Sequence, residues 1–200
     1  MILKICGITN RADADAAMDG GATAIGFNFY PRSPRYIAPE SAAEIPSESG
    51  VRRVGVFVNE GRARVEEIAR MVRLEVVQLH GEETPAEYPA RVAVWKAIRV
   101  TDGFDFSQYD GCPAEALLLD GPAADLYGGA GKTFDWRLAG VAARRVILAG
   151  GLDASNVAEA ITLVRPWGVD ACSRIESAPG KKDYKKMTEF LQAARTALRS

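Results

Sequence analysis

Residues 145–151 read Arg-Val-Ile-Leu-Ala-Gly-Gly, and this stretch decides the fold class. Its apolar residues 146–149 follow one another without polar alternation, which is typical of a strand buried on both faces of a parallel sheet. A segment with helix start signals then runs from Asp153 to Val164, and a second apolar run occupies Gly168–Ser173. The order strand, helix, strand predicts a βαβ unit.

The same alternation recurs along the chain, with a new apolar or β-branched run about every 24 residues, near the minimum for a strand, a helix and their loops. The eight predicted strands are Leu3–Gly7, Ala22–Phe29, Arg53–Val58, Glu75–Gly81, Val92–Val100, Ala114–Gly121, Arg145–Gly151 and Gly168–Ser173. Eight βα units predict an α/β fold, a single small (β/α)8 TIM barrel domain over residues 1–200. An open doubly wound sheet is the alternative, but no run precedes a Gly-x-Gly-x-x-Gly sequence.

Start and stop signals place helices between these strands. Asn10 is the predicted N-cap of a helix through Met18, which Gly20-Gly21 ends. The interval 101–113 is rich in Gly and Asp, so the fifth helix is predicted to be vestigial. The segment Asp183–Leu198 puts its apolar residues on one helical face. They are Tyr184, Met187, Phe190, Leu191, Ala194 and Leu198.

Composition limits the classes of function. The 200 residues are 48% hydrophobic and 26% charged, which is ordinary for a globular protein and excludes a disordered or collagen-like chain. The net charge of −1 gives no field that would attract nucleic acid or an anionic membrane, so neither is a predicted partner. No apolar stretch approaches the roughly 18 residues of a membrane helix. No signal peptide is recognised, so a cytoplasmic protein is expected.

The cysteines form neither a metal-binding nor a disulfide pattern. Cys6, Cys112 and Cys172 are odd in number and widely spaced, and His80 is the sole histidine of the sequence. This spacing predicts no zinc site and no disulfide framework, and it is typical of a reducing compartment. We interpret Cys112 and Cys172 as structural residues.

Candidate site residues follow from the fold, because TIM-barrel active sites lie at the carboxyl ends of the strands. Cys6, His80 and Asp120 lie at such ends. Each has a structural alternative. A cysteine in an apolar run is commonly a small buried hydrophobe, an aspartate after a strand commonly caps a loop, and a single histidine is more often a hydrogen-bonded structural imidazole than a catalyst.

A set of short motifs, in their order and spacing, shows a resemblance that covers almost the whole chain. The sequence closely resembles the phosphoribosylanthranilate isomerases, tryptophan-pathway enzymes that carry out an Amadori rearrangement. The motifs are Lys4-Ile-Cys-Gly-Ile-Thr9, Gly26-Phe-Asn-Phe-Tyr-Pro31, Ser33-Pro-Arg-Tyr-Ile37, Gly55-Val-Phe-Val-Asn59, Gln78-Leu-His-Gly-Glu82, Leu118-Leu-Asp120, Gly128-Gly-Ala-Gly-Lys-Thr-Phe-Asp-Trp136 and Pro179-Gly-Lys-Lys-Asp183.

The resemblance implies a substrate and roles for particular residues. The substrate would be N-(5-phosphoribosyl)anthranilate, whose rearrangement needs one acid and one base on opposite sides of the sugar. In the family these are the Asp that ends the sixth strand and the Cys that ends the first, here Asp120 and Cys6. Arg35 would hold the anthranilate carboxylate, since a planar guanidinium suits that task. No metal or organic cofactor is expected, because the imine nitrogen is itself the electron sink.

The expected phosphate site departs from the family at one position. Backbone N–H groups after strands 7 and 8 bind phosphate in such barrels, which selects Gly150, Gly151 and Ser173. Where the family usually reads Ser-Gly-Val-Glu, this chain has Ser173-Arg174-Ile175-Glu176. Arg174 either stays at negative φ or strains the loop, at a cost of about 1–2 kcal/mol. Its guanidinium either points to solvent or contacts the phosphate directly.

Other functions remain open at this level. The related histidine-pathway isomerase is usually described with Asp where this chain has Cys6, although one residue does not exclude a bispecific enzyme. A phosphate-ligand-binding barrel without catalysis is the alternative from another class. A phosphorylated small molecule is the expected partner, bound by a monomer or a homodimer. Lys4 and Asp170 share the side-chain parity of Cys6 and Cys172, so a buried charge pair inside the barrel is one option.

Overall fold

The protein forms a closed barrel of parallel strands. The computed structural model describes residues 1–46, 48–101, 104–121, 135–141 and 144–199. Its barrel strands pair in chain order, and the eighth closes the ring on the first. They are β1 (Ile2–Ile5), β2 (Ala24–Asn28), β3 (Arg52–Phe57), β4 (Val76–Leu79), β5 (Ala93–Arg99), β6 (Ala116–Asp120), β7 (Val146–Leu148) and β8 (Gly168–Ala171). Each predicted strand is confirmed, and so is the (β/α)8 barrel.

Helices on the outside of the barrel follow five of the strands in the described part of the chain. They are α1 (Arg11–Asp19), α2 (Pro39–Glu44), α3 (Arg62–Val72), α4 (Val157–Val164) and α5 (Tyr184–Ala197). A short hairpin of β9 (Glu176–Ala178) and β10 (Lys181–Lys182) precedes α5. The predicted cap of α1 is confirmed, because the Asn10 side chain accepts a hydrogen bond from the Asp13 N–H.

The fifth connection contains a 3-10 turn at Phe106–Tyr109 instead of an α-helix, as predicted. The described residues of the fourth and sixth connections also contain only 3-10 turns, at Pro85–Glu87 and Trp136–Val141, which the sequence pattern did not predict. In the fourth connection a proline occupies the first position of the turn, and a second, Pro89, follows it closely. A proline inside a helix removes a backbone donor and clashes with the preceding turn, so a longer helix is disfavoured there.

Two further details differ from expectation. The helix predicted to begin at Asp153 begins at Val157, because the Asp153 carboxylate accepts hydrogen bonds from the backbone and side chain of Ser155 and forms a turn. On α5, Tyr184 and Leu198 are exposed at the ends of the predicted apolar face, while the four central members of that face are buried.

Apolar side chains fill the barrel interior near the amino-terminal ends of the strands. The site can therefore open only at their carboxyl ends. Trp95 is completely buried among these apolar side chains, and its indole N–H donates to Glu115 at the amino-terminal rim. Trp167 packs edge-on against it with ring centroids 5.9 Å apart. Small or branched neighbours complete this layer, among them Ala24, Val54, Val76, Ala116 and Ile147. No helix among the described residues is long and apolar enough to span a membrane.

Candidate active site

A cleft opens at the carboxyl ends of the barrel strands. Its walls contain every residue that the sequence pointed to for the site, namely Cys6, Arg35, His80, Asp120, Gly150, Gly151, Ser173 and Arg174. These residues come from six different strand ends or loops, and barrel closure brings them together.

Cys6 follows β1 directly and lies in the floor of the cleft with 8% of its surface exposed. Its backbone N–H donates to the carbonyl of Ala171, which extends the β1–β8 pairing by one residue. The next residue, Gly7, has a φ of +74°, so the chain turns away sharply here. A side chain at this position would also collide with Arg35.

Two neighbours favour the thiolate form of Cys6. The thiol of Cys172 donates a hydrogen bond to its sulfur and lowers the pKa of Cys6 well below the ordinary thiol value, although burial acts in the opposite direction. The ammonium group of Lys4, also hydrogen-bonded to this sulfur, lowers the pKa further. The same contact with Cys6 raises the pKa of the Cys172 thiol well above its ordinary value, and burial acts in the same direction.

The buried charge pair considered from side-chain parity is present. Lys4 is completely buried, and its Nζ lies 2.9 Å from both carboxylate oxygens of Asp170 on the neighbouring strand. Burial alone would lower the pKa of Lys4, but Asp170 and Cys6 together outweigh burial and raise it. Lys4 therefore stays charged beneath the cleft floor, close to the Cys6 sulfur.

Asp120 lies across the cleft from Cys6. It is the last residue of β6, which is three strands away from β1 around the ring through β8 and β7. Its Oδ2 is 3.6 Å from Nε2 of His80, and the Nδ1 of that imidazole is 3.2 Å from the Gln78 side-chain amide. The Gln78 Oε1 is buried and has no hydrogen-bond partner among the described residues, so this amide can serve a group in the cleft.

Arg35 is held in place by a carboxylate that was not selected from the sequence. Its Nε and Nη2 bind Glu176 in a bidentate pair, with a closest distance of 2.8 Å. The buried Lys182 also binds this carboxylate at 2.9 Å. Burial would raise the pKa of Glu176, but its two cationic partners outweigh burial and lower it. One carboxylate shared between two cations leaves this wall of the cleft with net positive charge.

Gly150 and Gly151 follow β7 with φ of +78° and +66°. A side chain is rarely tolerated in this region of φ, which explains why glycine occupies both positions. Within the described part of the chain, the two amide N–H groups donate no hydrogen bond to the protein. They lie at the edge of the cleft, where an anion can approach the backbone closely.

Arg174 occupies the position of the usual family glycine without backbone strain, because it is not among the described non-glycine residues with positive φ. It lies in a 3-10 turn at Ser173–Ile175, and its Nη1 donates to Oδ2 of Asp153 at 2.7 Å. This contact lowers the pKa of Asp153 together with the Ser155 hydrogen bonds, against the effect of burial. The salt bridge joins the loop after β8 to the loop after β7.

Comparison with known proteins shows the family of this chain. The model of the family described as N-(5'-phosphoribosyl)anthranilate (PRA) isomerase matches residues 3–193. The chain belongs to that family. The phosphoribosylanthranilate isomerase of Solibacter usitatus is 69% identical over 198 residues, which are 99% of either chain.

Solved structures of phosphoribosylanthranilate isomerases have the same fold as this chain. The crystal structure of the enzyme from Thermotoga maritima matches with a TM-score of 0.89 and 42% identity over 98% of this chain and 100% of that one. A structure in complex with reduced 1-(o-carboxyphenylamino)-1-deoxyribulose 5-phosphate matches with a TM-score of 0.85 and 40% identity, again over 98% and 100%. The resemblance stated from the motifs is thereby confirmed.

Three residues in or next to the cleft of this isomerase were not selected from its sequence as functional. Cys172 requires a correction, since it lines the cleft and contacts Cys6 rather than only packing in the core. The available signal in the sequence was that Cys172 lies two residues after Asp170, so both side chains point to the same face of the strand. Lys182 lies within a motif quoted for the family resemblance, and Glu176 ends the stretch Ser173–Glu176 in which the chain departs from the family. Their charge pairing depends on the β9–β10 hairpin.

Part of one family motif lies outside the described residues. This is the stretch Gly128–Thr133 with Phe134, which follows β6 in the sequence. Among the residues that the structure does describe, no cluster of three or more His, Cys, Asp or Glu side chains could hold a metal ion.

Proposed function

We propose that Cys6 is the general base and Asp120 the general acid of this phosphoribosylanthranilate isomerase. The enzyme converts N-(5-phosphoribosyl)anthranilate to 1-(2-carboxyphenylamino)-1-deoxyribulose 5-phosphate in tryptophan biosynthesis. Protonated Asp120 gives its proton to the ribose ring oxygen, and the ring opens to an imine. The Cys6 thiolate then removes the C2′ proton, and the resulting enaminol tautomerises to the ketone.

The environment of the Cys6 sulfur carries this proposal. An ordinary thiol has a pKa of about 8.5 and is only a few per cent ionised at neutral pH. Here the Lys4 ammonium and the Cys172 thiol both bind the sulfur and stabilise its anion. A cysteine that served only as a small apolar residue would not need a buried cation beside it. Asp120 lies across the same cleft, where an acid that faces the base is required.

The cleft also provides separate subsites for the two anionic ends of the substrate. We place the anthranilate carboxylate at Arg35, whose guanidinium is oriented by Glu176. The phosphate lies at the amides of Gly150, Gly151 and Ser173 on the other side. His80 contacts substrate between them, next to Asp120. A metal or organic cofactor takes no part in these steps.

Fluorescence of the anthranilate group tests the catalytic function directly. Freshly made phosphoribosylanthranilate should lose its fluorescence at catalytic enzyme concentrations, whereas a non-catalytic binding protein would change the signal only up to one equivalent. The same assay with the histidine-pathway aminoimidazole nucleotide as competitor measures whether a second substrate is accepted.

We also propose that residues 1–200 form one catalytic domain and that the enzyme is cytoplasmic. The single closed ring of strands supports one domain. Whether the enzyme is a monomer or a homodimer stays a prediction, which sedimentation at several protein concentrations can decide.

Arg35→Ala is expected to lower kcat/KM by about 10–150-fold, because losing a charge-assisted hydrogen bond costs roughly 1.5–3 kcal/mol. Steady-state kinetics with the anthranilate substrate measure this loss. Arg11→Ala, at an exposed position on α1, is the control and should change little. An unchanged kcat/KM in Arg35→Ala would contradict the carboxylate subsite.

Arg174→Gly is expected to weaken binding of the phosphorylated product by about tenfold, since a half-exposed guanidinium makes a weaker charged hydrogen bond than a buried one. Binding of the same compound without its phosphate should not change. Calorimetric titration of both ligands separates the two effects. An equal loss for both would mean that Arg174 shapes the loop through Asp153 instead of contacting phosphate.

The pH dependence of Cys6 alkylation should show the effect of Cys172. Iodoacetamide reacts with the thiolate, so the rate rises as pH passes upward through the pKa of Cys6. We expect the midpoint below the ordinary thiol value of about 8.5. Cys172→Ala removes a donor to the thiolate, raises the pKa of Cys6 and moves the midpoint to higher pH. An unmoved midpoint would contradict the role of Cys172, and Cys112→Ala serves as control.

A further inference from the structure

We propose that Cys6 and Cys172 form an oxidisable thiol pair, which a peroxide converts into a disulfide across the floor of the active site. The site takes hydrogen peroxide or a related hydroperoxide as its reactant. Its effect on activity rests on the proposed role of Cys6 as the base, whereas the disulfide itself does not depend on that role.

Barrel closure puts the two cysteines at adjacent positions of neighbouring strands. β1 and β8 run parallel with Ile5 opposite Ala171, and Cys6 continues this pairing through its N–H bond to the Ala171 carbonyl. Parallel strands lie about 4.7–4.9 Å apart. The Cα atoms of disulfide-linked residues lie about 4.4–6.8 Å apart, so this spacing fits a disulfide without movement of the strands.

The side chains also have the right direction. Two residues earlier on the same strands, Lys4 and Asp170 point into the barrel and meet at 2.9 Å. Cys6 and Cys172 share that parity, and both line the cleft. A Cβ atom added to Gly7 would lie 3.1 Å from the Cys172 sulfur, so this sulfur lies close to the turn that follows Cys6.

Both cysteines line the open cleft, where Cys172 is half-buried and Cys6 keeps 8% of its surface exposed. Lys4 supports the thiolate of Cys6, which is the form that attacks a peroxide. The third thiol has a different environment. Cys112 contacts the Tyr88 hydroxyl at 3.6 Å, does not line the cleft, and provides a matched control.

The chemistry balances with one molecule of peroxide. The Cys6 thiolate attacks one peroxide oxygen, the O–O bond breaks, and Cys6 becomes a sulfenic acid while hydroxide leaves. Cys172 then attacks the Cys6 sulfur, the S–O bond breaks, and the second hydroxide leaves with the Cys172 proton as water. Two thiols and one hydrogen peroxide yield one disulfide and two waters. The sulfurs lose two electrons in total, and the peroxide gains them.

The test treats the full chain with hydrogen peroxide, alkylates the remaining thiols after denaturation, and determines masses of the intact protein and its peptides. Of the three thiols, the wild-type protein should keep one, at Cys112, and lose the mass of two hydrogen atoms. Dithiothreitol should restore all three. Cys112→Ser should form the same disulfide. Cys172→Ser should form none, and its Cys6 should go on to the sulfinic acid, which dithiothreitol does not reduce.

Three results would contradict the proposed Cys6–Cys172 disulfide. The wild-type protein could keep all three thiols reactive, it could form a Cys6 sulfinic acid while the Cys172 thiol stays intact, or it could form a disulfide that includes Cys112. Activity is followed in the same samples. Reversible loss of turnover together with the Cys6–Cys172 disulfide supports the proposal. A disulfide with unchanged turnover keeps the modification site but rejects Cys6 as the base, so the two hypotheses fail separately.

Discussion

Cys6→Ser is expected to lower kcat by at least about 10²-fold, because positioned proton transfer typically contributes about 10²–10⁴ in rate. The serine hydroxyl has nearly the shape of the thiol, but it does not ionise in the range where a thiol does. The Lys4 ammonium and the Cys172 thiol, which stabilise an anion at this sulfur, would bind a neutral hydroxyl instead. Steady-state turnover, followed by anthranilate fluorescence, measures the loss.

Cys112→Ser is the matched control for this substitution, since it makes the same change at a half-buried cysteine outside the cleft floor. It should retain turnover. Thermal unfolding of both variants shows whether the fold is intact. A folded Cys6→Ser enzyme that keeps more than half of the wild-type activity would remove Cys6 from the mechanism.

The strands could be predicted from sequence because their signal is local. An unbroken apolar run such as 146–149 has to be buried on both faces, and in this fold only a barrel strand meets that requirement. The position of the site follows almost as directly. Once the runs are strands of one closed barrel, Cys6 and Asp120 must lie at the same end, because parallel strands present their carboxyl ends together.

The side-chain network of the site could not be predicted in the same way. Cys172 has its role because β8 closes on β1, a contact between residues 166 positions apart at the level of Lys4 and Asp170. Periodicity shows which face a residue takes but not which residue it meets there. Glu176 likewise becomes a partner of Arg35, which lies 141 positions earlier in the sequence, only in the folded barrel.

Local chemistry also overrode two helix expectations. Asp153 has the composition of a helix start, yet its carboxylate binds Ser155 and Arg174 and the helix begins later. In the fourth connection, Pro89 lies just after the 3-10 turn and disfavours the full helix that the alternation of strands and helices predicted. In the first case side-chain hydrogen bonds, and in the second a proline ring, outweighed the regular alternation of strands and helices.

Asp120→Asn is expected to lower kcat by at least about 10²-fold while binding of the reduced product analogue stays nearly normal. The amide keeps the shape of the carboxyl and can still face Nε2 of His80, but it has no acidic proton to give to the ring oxygen. The conservative change therefore separates proton donation from binding. Asp19→Asn, at an exposed position at the end of α1, is the control and should leave both quantities unchanged.

The split between kcat and KM decides what Asp120 does. If Asp120 is the acid, the substrate bound to the Asn variant keeps its ribose ring closed. The kcat then falls, whereas the affinity for the product analogue does not. If Asp120 instead only contacts the sugar, the amide would raise KM and leave kcat near the wild-type value. The groups that lower the pKa of Cys6 are Cys172, Lys4 and Lys182 rather than Asp120. The alkylation rate of Cys6 should therefore be unchanged in this variant, which would show that any loss of turnover arises on the acid side of the cleft.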